Sequence, residues 1–496
     1  MRVYEPKVEV RLVKAINRKE IIPTVPVVAK RYGDSLKAID LTPYLGENGG
    51  VHISKGIREP AGAWSVTICD KPHAVSDKSQ KSLFETIYAL VEPMDLIEIR
   101  MAHDPYTYRD DVKHTTGLPV VMRGFVSMVT RNEIMSGGKP TRTVTISGQD
   151  FGKILQIIQI FYLNNSMVGD NILSEFAFFQ KYGVDAKIKP AIDFVADVLN
   201  GILNPYLAKL TALANGKSIG ADVVNVITPN VTIEGSISPK VVSSKVNVSL
   251  YQLLVSVLDI GAFNELFIED TDGGIALTVR PAPFLDVDGN PIQGHAPDSI
   301  QIDSTDIVAI NVSRSDAGVA NYYWAQCAPW ALTSNEDQKA AASVGDKSTF
   351  ILYDYLNCMQ AYYGVRKMEV EISLGPPSYS WSDAIRATQA DSQTSSLSAW
   401  IVSRRKILSS INKDNVIFES GSLRLRGNER IKAGMQLNIS RGNKMYSSYY
   451  VTKVDHEFVP FQGFYTTVTV ERGTSFITRS QSDQLTYFLE IDGKGV

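Results

Sequence analysis

At 496 residues the chain is longer than one ordinary hydrophobic core supports, so three or more structural units are expected. Its apolar content of 44% is that of a globular protein with ample material to bury, and a net charge of −3 argues against a dedicated DNA or RNA binder. The cysteines Cys69, Cys327 and Cys358 are odd in number and far apart; this excludes a disulfide scaffold and fits a reducing cytoplasm, each Cys reading as a small buried hydrophobe.

The N-terminus, Met1-Arg2-Val3-Tyr4-Glu5, is broken by charges and shows no secretory signal. Strand text then dominates residues 1–150. Trp64-Ser65-Val66-Thr67-Ile68-Cys69 alternates, residues 84–90 read as one short helix, and Ile97-Glu98-Ile99-Arg100, residues 125–129 and residues 143–146 read as strands. A polar insertion rich in Asp, Tyr and His separates the first two of these. Gly137-Gly138 marks the turn before the third, and Asp150 is the expected N-cap of a following helix.

Residues 151–220 read as a helical segment, with Ile192, Val195, Leu199, Ile202 and Leu203 on one face. The apolar runs at 154–163 and 191–207 are expected to be core helices: the first is too short to span a bilayer and the second carries Asp193 and Asp197. Residues 221–298 form a small α/β domain. It has a helical stripe at Leu250, Leu253, Leu254, Val257 and Leu258 capped by Ser249, then a hairpin turning at Asp272-Gly273. Strands return at 299–302 and 307–312. A helical insertion at 336–414 follows, with helices near 350–363 and 398–411, a strand at 368–374, and a polar, mobile run at 388–398. From 416 to 470 the chain is almost wholly β.

The strand triplet of the first 150 residues has a counterpart here: Leu437-Asn438-Ile439-Ser440, residues 450–454 and residues 467–470. The step from Val126 to Val144 nearly equals that from Val451 to Val468. A chain that builds one β-module twice presents near-equivalent surfaces at two places, which suits a ring-forming adaptor better than an enzyme.

Candidate chemistry is thin. His103, Asp104, Asp110, Asp111 and His114 share a loop but lack metal-ligand spacing, and Asp286-Val287-Asp288-Gly289-Asn290 lacks the acidic positions of a calcium loop. His456 lies in an alternating strand and reads as a hydrogen-bonded barrel residue. Phosphate-cradling loops and nucleophile elbows are absent from the sequence, and no carboxylate pair stands out among many. We therefore expect no catalytic, metal or cofactor-binding residues, and no enzyme.

Residues 421–434, then Tyr450-Val451-Thr452-Lys453-Val454-Asp455-His456-Glu457-Phe458, then residues 463–473 ending in Arg472-Gly473, resemble the second barrel of the baseplate hub of long contractile-tailed bacteriophages. Residues 143–150 resemble the run from that family's first barrel into a helix. The resemblance implies a mainly β fold: two tail-tube-like antiparallel β-barrel domains plus helical and small α/β domains. It implies a first barrel at 1–150, a second at 299–335 and 415–480, and a C-terminal tail at 481–496. It also implies a homotrimer in a virion tail baseplate, assembled in the host cytoplasm. That trimer would adapt a sixfold tail tube to a threefold central spike and line the channel for genome ejection. Its partners would be the tube and spike proteins, with tape-measure and wedge proteins as further candidates, DNA only in passage, and no membrane insertion. Unlike the related type VI secretion spike, the chain ends soon after its last strand, so the spike is expected to be a separate polypeptide. Alternatives are the hub of a phage-derived secretion machine, a tail-associated cell-wall hydrolase with 151–220 as its active domain, and a receptor-binding protein using aromatics near 101–119.

Overall fold

Period-2 alternation becomes strand where the sequence carries it. In a computed structural model, Trp64, Val66 and Ile68 enter a core while the residues between them stay half-buried. The structure describes residues 5–14, 38–46, 48–70, 86–108, 117–136, 138–160, 189–212, 226–237, 248–327, 355–377, 390–442, 444–475, 479–480 and 489–490. The protein is mainly β, with helices and a large, predominantly antiparallel sheet. In chain order its first part supplies β1 (Lys7–Val13), β2 (Ala38–Asp40), β3 (Gly50–Gly56), β4 (Ala63–Cys69), β5 (Leu96–Ala102), β6 (Val120–Ser136) and β7 (Lys139–Asp150). The short helix α1 (Ile87–Leu90) is capped by Thr86, whose side chain accepts from Ala89 N. All neighbours in the order β3-β4-β7-β6-β5-β1-β2 are antiparallel. They enclose Val10, Leu12, Ile53, Trp64, Val66, Ile99, Val126 and Ile146.

Asp150 ends β7 rather than serving as the N-cap. Helix α2 (Gly152–Ile157) starts after Phe151, but the Asp150 carboxylate still accepts from Gly152 N at 2.8 Å, so it satisfies an orphan donor from one position back. The apolar run that begins there is helical only to Ile157. Residues 159–160 instead pair with 248–249, and residues 161–163 lie outside the described residues. Helix α3 (Ala191–Val198) continues through a π turn at 199–203 into α4 (Asn204–Ala212). Its buried face holds Ala191, Phe194, Val195, Val198, Leu199, Ile202 and Leu203, whereas Ile192 is exposed; Phe194 and Val198 centre the stripe beside the expected one. Among the described residues no helix is long and apolar enough to cross a membrane.

Helix α5 (Leu250–Val257) carries the expected cap: Ser249 and Gln252 form a reciprocal capping box, and Leu250, Leu253, Leu254, Val257 and Leu258 are all buried. A three-stranded sheet follows, ordered β8 (Ile227–Val231), β10 (Gly274–Pro281), β9 (Asn264–Thr271), and it shares one core with α2 to α5.

Next come β11 (Ser299–Asp303) and β12 (Ile307–Ser313), then a parallel pair, β13 (Tyr322–Cys327) with β14 (Lys367–Ile372). Between that pair lies the short helix α6 (Gln360–Tyr363). The polar run at 388–398 is not a loop: from Ala390 it is helix, the first turns of α7 (Ala390–Asn412). It holds no Pro or Gly, and its C-terminal half buries Ile401, Leu408 and Ile411, which anchors the rest. The last strands are β15 (Glu419–Arg426), β16 (Gln436–Arg441), β17 (Lys444–Val459) and β18 (Gly463–Ser475). Both strand groups share a single sheet of 13 strands, ordered β12-β15-β18-β17-β3-β4-β7-β6-β5-β1-β2, with β16 on β17 and β11 parallel to β16.

Candidate functional site: a duplicated module and its seam

Two sets of five strands repeat one another. β3-β4-β7-β6-β5 and β12-β15-β18-β17-β16 have the same spatial order, and within each set the strands occur in the same chain order. Their irregularities repeat as well. The β5·β6 ladder bulges between Ile99 and Arg100, opposite Met122 and Val120; β16·β17 bulges between Ile439 and Ser440, opposite Ser447 and Met445. The next ladder slips between Val126 and Met128 in one set and between Val451 and Lys453 in the other.

The entering corner is also shared. Met94 N donates to Val126 O and Val126 N to Asp95 O, while Gly434 N donates to Val451 O and Val451 N to Met435 O. Met94 has φ 73° and Gly434 φ 84°, so both corners need the left-handed backbone, which glycine adopts without strain and methionine does not.

These registers test the repeat read from sequence. Ile97-Glu98-Ile99-Arg100 matches Leu437-Asn438-Ile439-Ser440, and Val126 matches Val451, as expected. In the third strand the match slips by two: Val129 pairs with Ile146 and Val454 with Val468, so Val468 corresponds to Ile146 rather than to Val144. A shift of two leaves the buried face unchanged, so alternation alone could not detect it. One cross-strand site is filled in opposite ways. Trp64 faces Gly148 in the first module, and Gly421 faces Val470 at the matching place in the second. A Cβ at Gly148 would meet the Trp64 ring, whereas one at Gly421 would meet the backbone of Asn311 and Val312 on the neighbouring strand.

The modules meet where β3 pairs antiparallel with the second half of β17, from Lys453 opposite Gly56 to Phe458 opposite Val51. Val51, Ile53, Val454 and Phe464 are buried there. His456 is buried with them, its Nδ1 3.0 Å from Thr466 Oγ1, and burial pushes its pKa down to about 4, so the ring stays neutral. Lys453 reaches Glu59 at 2.6 Å and Arg58 reaches Glu471 at 2.6 Å, each pair crossing the seam.

Buried polar groups fasten the sheet to the β8–β10 unit. Lys55 is ion-paired with Asp270. Arg123 donates from Nε to Glu98 at 3.0 Å and from Nη1 to Thr271 O at 2.6 Å. Arg280 bonds Glu265 at 3.1 Å and Gly434 O at 2.7 Å, and Tyr450 donates to Glu265 at 2.6 Å. Burial pushes the Asp150 carboxyl up to about 7; the nearby Lys55 charge lowers it and Asp270 raises it. A cleft beside these groups is lined by Lys55, Phe267, Asp270, Glu429, Lys432 and His456.

The residues singled out in the sequence do not converge. His103 is held by Glu429, with Nδ1 2.8 Å from Oε2, and Tyr108 donates to the same carboxylate at 2.5 Å. The carboxylate of Asp104 accepts from Tyr106 N; Asp110, Asp111 and His114 lie outside the described residues. Asp286 accepts from Asp288 N and Asn290 N, which makes the 286–290 segment a plain turn. Cys358 is buried and Cys69 half-buried, and the Cys327 side chain lies outside the described residues. Among the described residues no group of three His, Cys, Asp or Glu could hold a metal ion. Sequence reasoning missed Lys55, Arg123 and Asp270 and read Asp150 only as a helix cap; all four are ordinary charged residues until folding brings distant strands together.

No protein-family model and no curated protein matches the chain. Solved structures do. A tail protein from Neisseria meningitidis MC58 is similar at 10% identity and a TM-score of 0.43, over 95% of this chain and 97% of that one. The 43 kDa tail protein of prophage MuSo2 from Shewanella oneidensis is similar at 11% identity and a TM-score of 0.41, over 94% and 98%. A component of the E. coli type VI secretion system, described as structurally similar to the T4 bacteriophage tail proteins gp27 and gp5, is similar at 7% identity and a TM-score of 0.33, over 85% and 72%.

Proposed function

We propose that this chain is the structural baseplate hub of a contractile tail: a homotrimer that joins a sixfold tail tube to a threefold central spike and encloses the channel through which a genome leaves. The observation that carries this reading is the duplicated module, with its two bulges and its left-handed corner repeated at matching positions. Three chains with two equivalent modules each present six equivalent surfaces, so a threefold object can meet a sixfold one. A closed ring also stops growth without leaving open strand edges. The chain's role is then shape and contact rather than catalysis, and its partners are further copies of itself, the tube protein and the spike. A near-neutral, slightly acidic protein suits a DNA conduit, since tight phosphate contacts would hold the passing strand.

The test is mass in solution. Sedimentation or light scattering on the purified chain is expected to give a threefold species of about 164 kDa, three times 54.6 kDa. A chain that stays monomeric at high concentration would overturn the reading.

A further inference from the structure

The duplication also says where neighbouring copies would touch. Inside the chain, the outer edge strand of the first module, β3, is covered by the second half of β17. The equivalent of β3 in the second module is β12: Val51 and Ile53 face Val66 and Trp64, just as Ile310 and Val312 face Leu423 and Gly421. The equivalent of the covering segment is the second half of β6, where Val129, Arg131, Asn132 and Glu133 match Val454, His456, Glu457 and Phe458.

Among the described residues both of these equivalents are open: β12 ends the sheet path, and β5 leaves β6 at Phe125, so beyond the bulge β6 is paired only with β7. Val51 and Ile53 are 1% and 0% exposed, whereas Ile310 is 47% and Val308 55% exposed, and Met128 is 58% exposed on the other edge. One molecule therefore carries one made seam and the two unjoined halves of a second.

We infer that β12 of one copy pairs antiparallel with the second half of β6 of the next, reproducing the internal seam between chains. This rests on the ring reading above and supplies its contact surface. Carrying the β3·β17 register across places Ile310 opposite Glu133, Asn311 opposite Asn132, Val312 opposite Arg131 and Ser313 opposite Thr130. The partner is a second copy of this chain because the two open edges complement each other by the same operation that built the closed one. Such head-to-tail contact is heterologous and gives a ring when the rotation closes. Arg131 and Glu133 stand where His456 and Phe458 stand inside, so the intermolecular seam is more polar than the internal one. Charge on an exposed edge guards a lone chain against indiscriminate pairing.

Ile57 N donates to Thr452 O at 3.0 Å, which makes that facing pair hydrogen-bonded. By alternation the pairs Ile53–His456 and Val51–Phe458 are bonded and His52–Glu457 is not. Asn311 and Asn132 inherit the non-bonded geometry, with Cα atoms about 4.5 Å apart, within disulfide reach. Under mild oxidation the full chain carrying Asn311→Cys and Asn132→Cys is expected to form covalent species of two and three chains. The single-substitution parents and the off-register pair Asn311→Cys with Thr130→Cys are expected to give at least about tenfold less. A threefold species that links no better than these controls overturns the edge assignment and leaves the hub reading standing; a chain that stays monomeric overturns both. In a second variant, Ile310→Pro removes one outward N–H. It is expected to weaken association at least about tenfold with the monomer's melting temperature unchanged, and unaltered association would also overturn the assignment.

Discussion

Burial governs Asp150. Its carboxyl is raised from the ordinary range to about 7 because the charged form is cut off from solvent more strongly than Lys55 compensates it. A folded-state pKa above the unfolded one means the native state holds a proton that the unfolded state has released. The associated stability is complete below pH 4 and is lost as pH rises through about 7, at up to about 1.4 kcal/mol per pH unit in that window. Asp259, also buried and raised to about 7, acts with the same sign. His456, pushed down to about 4, acts with the opposite sign: its contribution is lost as pH falls from the usual imidazole value toward 4. Asp150→Asn keeps an oxygen to accept from Gly152 N and removes the titration. It should raise the melting temperature more at pH 8 than at pH 5 and leave it unchanged near pH 3, as measured by thermal melts across pH. None of this was legible in sequence. His103 and His456 stood out as rare residues, whereas what perturbs Asp150 is its neighbours, and those come from β3 and β9.

At the scale of elements, the alternating strands were readable because a half-buried strand writes its two faces into the sequence. The capping box at Ser249 and Gln252 was readable because it is local. Two misreadings have physical causes. Helical spacing places Ile192 rather than Phe194 and Val198 on the α3 stripe because several phases fit a helix this apolar, and only the packing partner chooses among them. The Ser- and Thr-rich start of α7 reads as loop because those residues favour non-helical backbone, yet the buried half of the helix carries it. The swapped Trp64–Gly148 and Gly421–Val470 pairs show how one module tolerates two sequences. A Cβ at Gly148 would stand 2.6 Å from the Trp64 ring and 2.0 Å from Phe125 O. Gly148→Ala should therefore cost about 1–3 kcal/mol, seen as a lower urea midpoint with unchanged slope.

Across the whole molecule, the sheet and the β8–β10 unit are held together by charges taken out of water. Asp270 has a 1% exposed side chain and faces Lys55 and the backbone N–H of Arg123. Removing one partner of a buried pair strands the other. Lys55→Met should therefore destabilise the protein by about 3–5 kcal/mol in equilibrium denaturation, far more than the loss of an exposed pair such as Lys367–Glu369.

The sequence by itself determined that the chain is mainly β and that a strand triplet occurs twice, since both facts are written in local alternation and spacing. Only the tertiary structure decided that the two modules share one sheet, which strand joins them, and which edges stay open. Strand pairing is made by backbone groups that every residue carries alike, so side-chain order leaves the choice of neighbour unstated.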